Sequence, residues 1–369
     1  MKIPLKSILF LAAINFAWCA EVIHTNANPS GITNLTKPEQ LISGNWTTNA
    51  TAFWGDTSTK NTTKVGTIYE PGAPQQRFTF GVHNLGDVTA MPAALWQLAA
   101  LTGYDPGAPY LTWTDGQISS SKQVSSTNNY DPANPHSALQ ASGIYWGAFI
   151  NSIDWINNGQ NMTIRYSYYF KDDTAPHPFA STYGSNAQLR IQTNLKIPMY
   201  TGLLSGDPKT GAIAWAPMNV GLKDTTTGNF IVFNCRLFDR RGFVTANGTH
   251  TIGGGFLNER VTQCGTGEIL IATHLGAGTK YCTKDTGVDS QTTKWSNMKH
   301  FGCLVSRSQF VAAIQEANLL FVFTEPFSEN PDDYILKTMD VGVEGSRMSA
   351  TDPIQVGFSG SNLRVSTVY

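Results

Sequence analysis

Three short segments place a tryptophan beside an aspartate, a combination that can bind a sugar. An indole ring can cover the C–H face of a sugar, while a carboxylate accepts hydrogen bonds from its hydroxyl groups. The candidate ligand-binding residues are Trp54, Asp56, Trp113, Asp115, Asp154 and Trp155. They predict a glycan or polysaccharide as the partner. The alternative is that each tryptophan packs in the core, because tryptophan is largely buried on average.

A further candidate is Glu344, at the end of a predicted strand over residues 334–344. The sequence Gly342-Val343-Glu344, followed by a loop and a final strand at 363–369, resembles the C-terminal part of concanavalin-A-like lectins and glucanases. The nearest pattern is that of glycoside hydrolase family 12, in which a strand ending in Gly-x-Glu carries the acid/base glutamate. The resemblance covers about thirty-five residues and implies that Glu344 is a catalytic acid/base. The alternative is an exposed acid at a strand end.

The second carboxylate that hydrolysis requires is not evident in the sequence. The family's Glu-x-Met-x-Trp nucleophile strand is absent, and so is the Glu-x-Asp-x-x-Glu strand of related glucanases. Glycoside hydrolysis needs two carboxyl groups about 5–9.5 Å apart. Asp340 shares a strand face with Glu344, but four residues at about 3.3 Å each separate them by roughly 13 Å. Lectin-like binding is therefore the first hypothesis, and hydrolysis through Glu344 is the second.

Composition and missing motifs argue against several other classes of function. Charged residues make up 14% of the chain, against about 25% on average, and the net charge is −1. A nucleic-acid partner is not expected, because phosphate binding needs a clustered positive face. The sequence also lacks Gly-x-Ser-x-Gly and His-Glu-x-x-His motifs, which mark common serine hydrolases and metalloproteases. A structural or adhesin-like surface protein is the third hypothesis.

No cofactor or catalytic metal is expected from the sequence. A structural calcium ion is possible at the acidic pairs 172–173 and 332–333, although neither pair has the spacing of an EF-hand loop. The absence of a Cys-x-x-Cys pair argues against a zinc site.

Four cysteines follow the N-terminal segment, which itself contains Cys19. They are Cys235, Cys264, Cys282 and Cys303. An even number in an oxidising compartment predicts two disulfides, with three possible pairings. Sequence proximity favours Cys235–Cys264 and Cys282–Cys303, and the alternative is buried thiols.

The first twenty residues predict export. Lys2 and Lys6 precede an apolar run at 8–14, and Ala17 and Cys19 stand at the −3 and −1 positions of a possible cleavage site. This is the pattern of a secretory signal peptide over residues 1–20. The protein should then be secreted and extracellular, or periplasmic in a bacterium. No later segment is long and apolar enough to predict a transmembrane helix.

The rest of the chain predicts an all-β fold. Residues 21–65 are rich in Asn and Thr and predict an N-terminal arm or edge strands, and residues 66–369 predict a single sandwich domain. Many short strands with glycine-rich turns favour an antiparallel β-sandwich of the jelly-roll, concanavalin-like kind. One or two short helices are expected, at 92–101 and 310–317.

Period-two alternation and apolar runs locate the strands. The clearest alternation, at 188–197, turns Leu189, Ile191, Thr193, Leu195 and Ile197 to one face. Pro198 should end this strand. Further strands are predicted at 76–82, 161–170, 230–238, 269–275, 319–324 and 334–344, with a closing hairpin of 354–358 and 363–368.

Overall fold

A computed structural model describes the central and C-terminal parts of the chain and several N-terminal strands. The described residues are 20–27, 47–48, 64–69, 76–83, 123–125, 137–142, 145–151, 160–201, 213–242, 259–276, 280–347 and 354–369. The predicted signal residues 1–19 and the predicted helix at 92–101 lie outside these ranges.

Strands dominate the described residues. They are β1 (Glu21–Ala27), β2 (Thr47–Thr48), β3 (Lys64–Tyr69), β4 (Gln76–His83), β5 (Gln123–Ser125), β6 (Ser137–Ser142), β7 (Tyr145–Asn151), β8 (Gln160–Tyr169), β9 (Gln188–Thr201), β10 (Ile213–Asp224), β11 (Phe230–Asp239), β12 (Arg260–Gly265), β13 (Glu268–His274), β14 (Thr283–Lys284), β15 (Trp295–Ser306), β16 (Tyr334–Arg347) and β17 (Gln355–Val368). The helical elements are α1 (Arg307–Leu320) and three 3-10 turns at Asp172–Thr174, Ser181–Tyr183 and Pro331–Asp333.

These strands form two sheets. The smaller sheet has the order β14-β15-β9-β17-β7-β6-β5, with β1 beside β17, and the larger has the order β12-β13-β11-β10-β16-β8-β4-β3-β2. Among the described strands, β11 and β13 are the one parallel pair. The predicted all-β, antiparallel jelly-roll sandwich is confirmed, with α1 as its helix.

The two sheets enclose a common hydrophobic core. Trp146 on β7 stacks on Tyr166 on β8, with ring centroids 4.6 Å apart. Ile191 on β9 and Met218 and Val341 on the larger sheet belong to the same buried cluster. The whole predicted inner face of β9 is buried. Alternation therefore identified correctly which side of this strand faces the core.

The structure corrects the prediction that Pro198 ends β9. The strand continues to Thr201. Its pairing with β17 shifts register between Gly357 and Ser359, at the position of Pro198. A proline lacks the N–H that a regular ladder uses, and such an irregularity accommodates it.

The predicted strand at 319–324 is wrong. Helix α1 continues through Leu320, and residues 321–324 form no strand. Ser306 and Gln309 form a capping box at the start of the helix, and its buried face consists of Phe310, Ala313, Ile314 and Ala317. The apolar run therefore ends the helix with the exposed Leu319 and Leu320. After the helix, Phe321 and Phe323 still pack against the core. No helix within the described ranges is long and apolar enough to cross a membrane.

The predicted closing hairpin is also wrong, because β17 is one continuous strand. Its register with β9 shifts between Ser361 and Arg364, and Asn362 has a φ of 54°. A residue in the left-handed region at this point makes a bulge and not a turn. On the opposite edge from β9, β7 pairs with 355–361 and β1 pairs with 363–368.

The turn between β10 and β11 is held by one buried carboxylate. Asp224 Oδ1 accepts hydrogen bonds from the backbone N–H and the hydroxyl of Thr226, at 2.8 and 2.7 Å, and Oδ2 accepts from Ser328 N at 2.8 Å. Burial alone would raise the pKa of Asp224, but these bonds outweigh it and lower the pKa below 3.8. The ionised carboxylate therefore stabilises the fold.

We expect Gly360→Ala to destabilise the protein. A β-carbon there would lie 2.7 Å from ring carbons of Trp146, and overpacking of this kind costs about 1–3 kcal/mol. Urea unfolding gives the measurement. Gly276→Ala is the control, because its β-carbon would come no closer than 3.4 Å to His274. Equal midpoints for the two variants would contradict the stacking of Trp146 on β17.

We expect Asp224→Asn to lower the free energy of unfolding by about 1–3 kcal/mol at pH 7, because an NH2 group, which cannot accept a hydrogen bond, replaces one of the two accepting oxygens. The folded pKa of Asp224 is below its ordinary value. Its contribution is therefore present above that ordinary value and is lost as the pH falls through the folded pKa. Denaturant unfolding from pH 7 down to acid should show the two proteins converge. The exposed Asp289→Asn should show no such convergence.

Candidate functional site

The outer face of the larger sheet carries a row of polar side chains. On β16, Met339, Val341 and Val343 point into the core, so Asp340 and Glu344 point the other way. The same alternation on the neighbouring strands β8, β10 and β11 brings further polar residues to this face. We call the row the polar band; it consists of Arg165, Asn219, Asn234, Arg236, Asp340 and Glu344.

Hydrogen bonds connect the polar band across four strands. Arg165 Nη1 donates to Asp340 Oδ1 at 2.8 Å, and Asn219 Nδ2 donates to the same oxygen at 2.6 Å. Asn234 Nδ2 donates to Asn219 Oδ1 at 2.5 Å, and Arg236 Nε donates to Asn234 Oδ1 at 2.7 Å. A carboxylate, two amides and two guanidinium groups thus form one chain of bonds.

Glu344 joins the polar band through Arg165, whose Nη2 lies 3.5 Å from Glu344 Oε2. Trp215 on β10 is the register partner of Glu344. The guanidinium carbons of Arg236 and Arg241 lie 5.1 and 4.7 Å from the centroid of the Trp215 ring, in cation–π geometry. The acid therefore lies beside an indole ring and three arginines.

Asp239 balances the charge of these arginines. Arg241 donates to it from Nε and Nη2 at 2.9 and 2.7 Å, and Arg236 Nη1 lies 3.8 Å from it. Burial lowers the pKa of Arg236 to about 10, while the charge of Asp239 opposes this change. Burial likewise raises the pKa of Asp340, against the attraction of Arg165. Both shifts reflect the cost of holding charges away from water.

Solvent reaches the polar band at one end. Glu344, Arg236 and Trp215 retain 6, 7 and 8% exposure, whereas Asp340 and Asn219 retain only 2%. The interpretation of Glu344 as an exposed acid at a strand end is thus wrong, because Glu344 is buried within β16. Among the described residues of the polar band and its surroundings, Glu344, Arg236 and Trp215 are thus the ones nearest to solvent.

Two hydrogen-bond donors near Glu344 are not used within the described residues. Trp215 Nε1 and Arg236 Nη1 are buried and make no hydrogen bond there. A buried donor without an acceptor costs about 1–3 kcal/mol. An acceptor oxygen placed against these two donors would recover that cost.

Hydrolysis at Glu344 would require a second carboxylate at a suitable distance. The structure corrects the inference that Asp340 lies too far away, because both carboxylates converge on the guanidinium of Arg165. That guanidinium occupies the space between them, where hydrolysis would need the scissile bond or a water. On the described strands next to β16, the register partners of Glu344 are Thr163 and Trp215. Neither supplies a nucleophile carboxylate.

The other candidates from the sequence have different outcomes. Trp54, Asp56, Trp113, Asp115, Asp154 and Trp155 lie outside the described residues, and their role stays a prediction. Of the acidic pairs suggested for calcium, Asp332 accepts a hydrogen bond from Arg307 at 3.0 Å. Asp333 accepts bonds from Ser328 and Asn330. A calcium ion would compete with these donors.

The cysteines do not follow the expected pairing. None of the four described cysteines forms a disulfide. Cys235, Cys282 and Cys303 come together in the core, with their sulfur atoms all within 4.8 Å of one another. Cys264 lies outside this group on β12, where its sulfur contacts Thr262 O at 3.7 Å. The arrangement does not bring Cys235 to Cys264, whereas Cys282–Cys303 stays a prediction.

Sequence reasoning missed Arg165, Trp215, Asn219, Asn234 and Arg236. Two of them carried a usable signal: Asn234 and Arg236 interrupt an otherwise apolar strand at 230–238. A polar residue in a central strand needs a partner, because burying it alone is costly. That rule predicts that partners exist but does not say which residues they are.

Comparisons with known proteins add little to this geometry. No family model and no curated protein matches the sequence. Among solved structures, the chain is similar to the xyloglucanase domain of NopAA, a type three effector from Sinorhizobium fredii in complex with cellobiose, at 12% identity and a TM-score of 0.31 over 71% of this chain and 96% of that one. It is also similar to the family 11 xylanase from Neocallimastix patriciarum, at 8% identity and a TM-score of 0.31 over 84% of this chain and 100% of that one. The fold is established here by the strand pairing itself.

We expect Arg165→Met to lower the free energy of unfolding by about 3–5 kcal/mol, because Asp340 and Glu344 would remain buried without their shared cation. Arg364→Met removes an arginine from a half-exposed pair with Glu21 and should cost no more than about 1 kcal/mol. Guanidinium unfolding compares the two. A loss of the same size in both variants would show that Arg165 has no special role.

Proposed function

We propose that this protein is an exported glycan-binding protein and that it binds its ligand on the outer face of the larger sheet, beside Glu344 and Trp215. The observation that carries the proposal is a pair of donors, Trp215 Nε1 and Arg236 Nη1, that make no hydrogen bond to the described residues. Sugar hydroxyl and ring oxygens are acceptors of the right kind. Export is part of the proposal, because the sequence predicts an N-terminal signal peptide.

The chemistry of this end of the polar band suits a sugar. Trp215 supplies apolar ring surface, Glu344 supplies carboxylate acceptors, and Arg236 supplies fixed donors. Sugar sites combine apolar and aromatic surface with a few oriented polar groups in this way. The hydrogen-bonded row behind them, through Asn234 and Asn219, holds Arg236 in a fixed position. A ligand would therefore meet donors that are already oriented.

Glycan binding is favoured over glycan hydrolysis because the aspartates near Glu344 are already paired with arginines. Asp340 and Asp239 are each held by arginine donors. Neither is free to attack a sugar carbon. Glu344 alone could protonate a leaving group, but catalysis in either stereochemical course uses two carboxyl groups.

We expect Trp215→Ala to weaken glycan binding by about tenfold or more, equivalent to about 1.4 kcal/mol. A glycan array with the signal-free protein, in calcium and in EDTA, would identify the ligand class, and titration calorimetry would give affinities. Tyr369→Ala is the control, because Tyr369 is an exposed aromatic residue at the end of the smaller sheet. Wild-type affinity in folded Trp215→Ala would place the binding site elsewhere.

The same glycan, incubated with the wild-type protein and with Glu344→Gln, separates binding from hydrolysis. We expect no cleavage products from either protein. Products from the wild type alone would establish the hydrolase hypothesis in place of this one.

A further inference from the structure

Three cysteines that are distant in the sequence meet between the two sheets. Cys235 lies on β11 of the larger sheet, Cys303 on β15 of the smaller sheet, and Cys282 directly before β14. All three are fully buried. We call this group the thiol cluster. It lies on the core side of β11, opposite the polar band, and is independent of the proposed glycan site.

The spacing of the thiol cluster fits a metal ion. Its three sulfur atoms all lie within 4.8 Å of one another. With zinc–sulfur bonds of about 2.3 Å, three thiolates around one ion lie about 3.8–4 Å apart. The sulfur atoms would have to move inward by less than about 1 Å, which χ1 adjustments of short side chains allow.

An oxygen donor stands next to one of the sulfur atoms. Thr273 Oγ1 lies 3.3 Å from Cys282 Sγ, and Thr273 is the register partner of Cys235 on the neighbouring strand β13. The Thr273 hydroxyl donates to the carboxylate of Glu259, which also accepts from Lys280 N. Because its proton is directed to Glu259, the hydroxyl oxygen keeps its lone pairs for another partner. Such a second group behind a ligand is usual in metal sites.

We propose that Cys235, Cys282 and Cys303 bind a zinc ion, with Thr273 Oγ1 as the fourth ligand and Glu259 orienting it. Binding converts three thiols into thiolates, so one Zn²⁺ enters and three protons leave. The resulting group joins β11, β13 and β15 and so links the two sheets. Thiolates select soft or borderline ions, and the oxygen donor favours zinc over copper(I). An iron–sulfur cluster normally needs four cysteines.

Metal content of the purified chain tests the proposal. We expect the wild-type protein, prepared with a phosphine reductant and without chelator, to retain one zinc ion per chain. Elemental mass spectrometry measures this ratio. Cys235→Ser and Cys303→Ser should each reduce the retained zinc at least tenfold. Cys264→Ser is the matched control and should retain it fully. Glu259→Gln should weaken zinc binding by about 10–100-fold in a chelator competition, as does the loss of other groups that orient a metal ligand.

Two results would overturn the proposal. One is a disulfide between two members of the thiol cluster, shown by an intact mass two hydrogens lower and by peptide mapping. The other is zinc retention that is absent in the wild type or unchanged in Cys235→Ser. If the serine variants do not fold, cobalt(II) added to the wild type and to Cys264→Ser still tests the site. Both proteins must then show intense sulfur-to-metal charge-transfer bands. Their absence from the folded wild type refutes the site.

Discussion

Buried charge on the outer face of the larger sheet is the constraint around which this molecule is arranged. Strand β16 lies between β10 and β8 and carries Asp340 and Glu344 on the face that does not meet the core. A carboxylate in such a place needs a cation and hydrogen-bond donors. Arg165 serves both acids at once, and the amides of Asn219 and Asn234 extend the bonding to Arg236. The register of four strands must be kept for these contacts to form.

The main effect of the polar band is to select one register of the strands. Its contribution to the free energy of unfolding is secondary. A one-residue slip of β8 against β16 would turn Arg165 into the core and leave both acids without their shared cation. A hydrophobic row of the same volume could give similar or greater stability. We therefore interpret the polar band as a surface with two roles. It fixes the register of the strands, and it presents oriented polar groups at its solvent end. Trp215 and Glu344 lie at that end.

Alternate side chains of β11 point to opposite faces of the larger sheet, and one of those on the core side belongs to a second cluster. Cys235 lies between Asn234 and Arg236 in the chain, yet points to the opposite side and meets Cys282 and Cys303. Strand β11 thus contributes to the polar band with one face and to the thiol cluster with the other. The two sites share a backbone but no side chain. A change at one can therefore be compared with a change at the other within a single protein.

Local patterns in the sequence determined the class of fold and the inner face of β9. Alternation of side chains is a property of each strand alone, and so is the capping box that begins α1. Local patterns failed at two points where pairing with a neighbouring strand decided how far a strand continues. Pro198 looked like a strand end and residues 359–361 looked like a turn. Pairing between β9 and β17 instead makes irregularities at Pro198 and at Asn362 within two longer strands. Only the tertiary structure decided which polar residues meet. Arg165 and Asp340 are 175 positions apart, and the pairing Cys235–Cys264 suggested by proximity is not the one that the strands bring together. Sequence spacing says which face a residue occupies, whereas strand order and register decide what lies opposite to it.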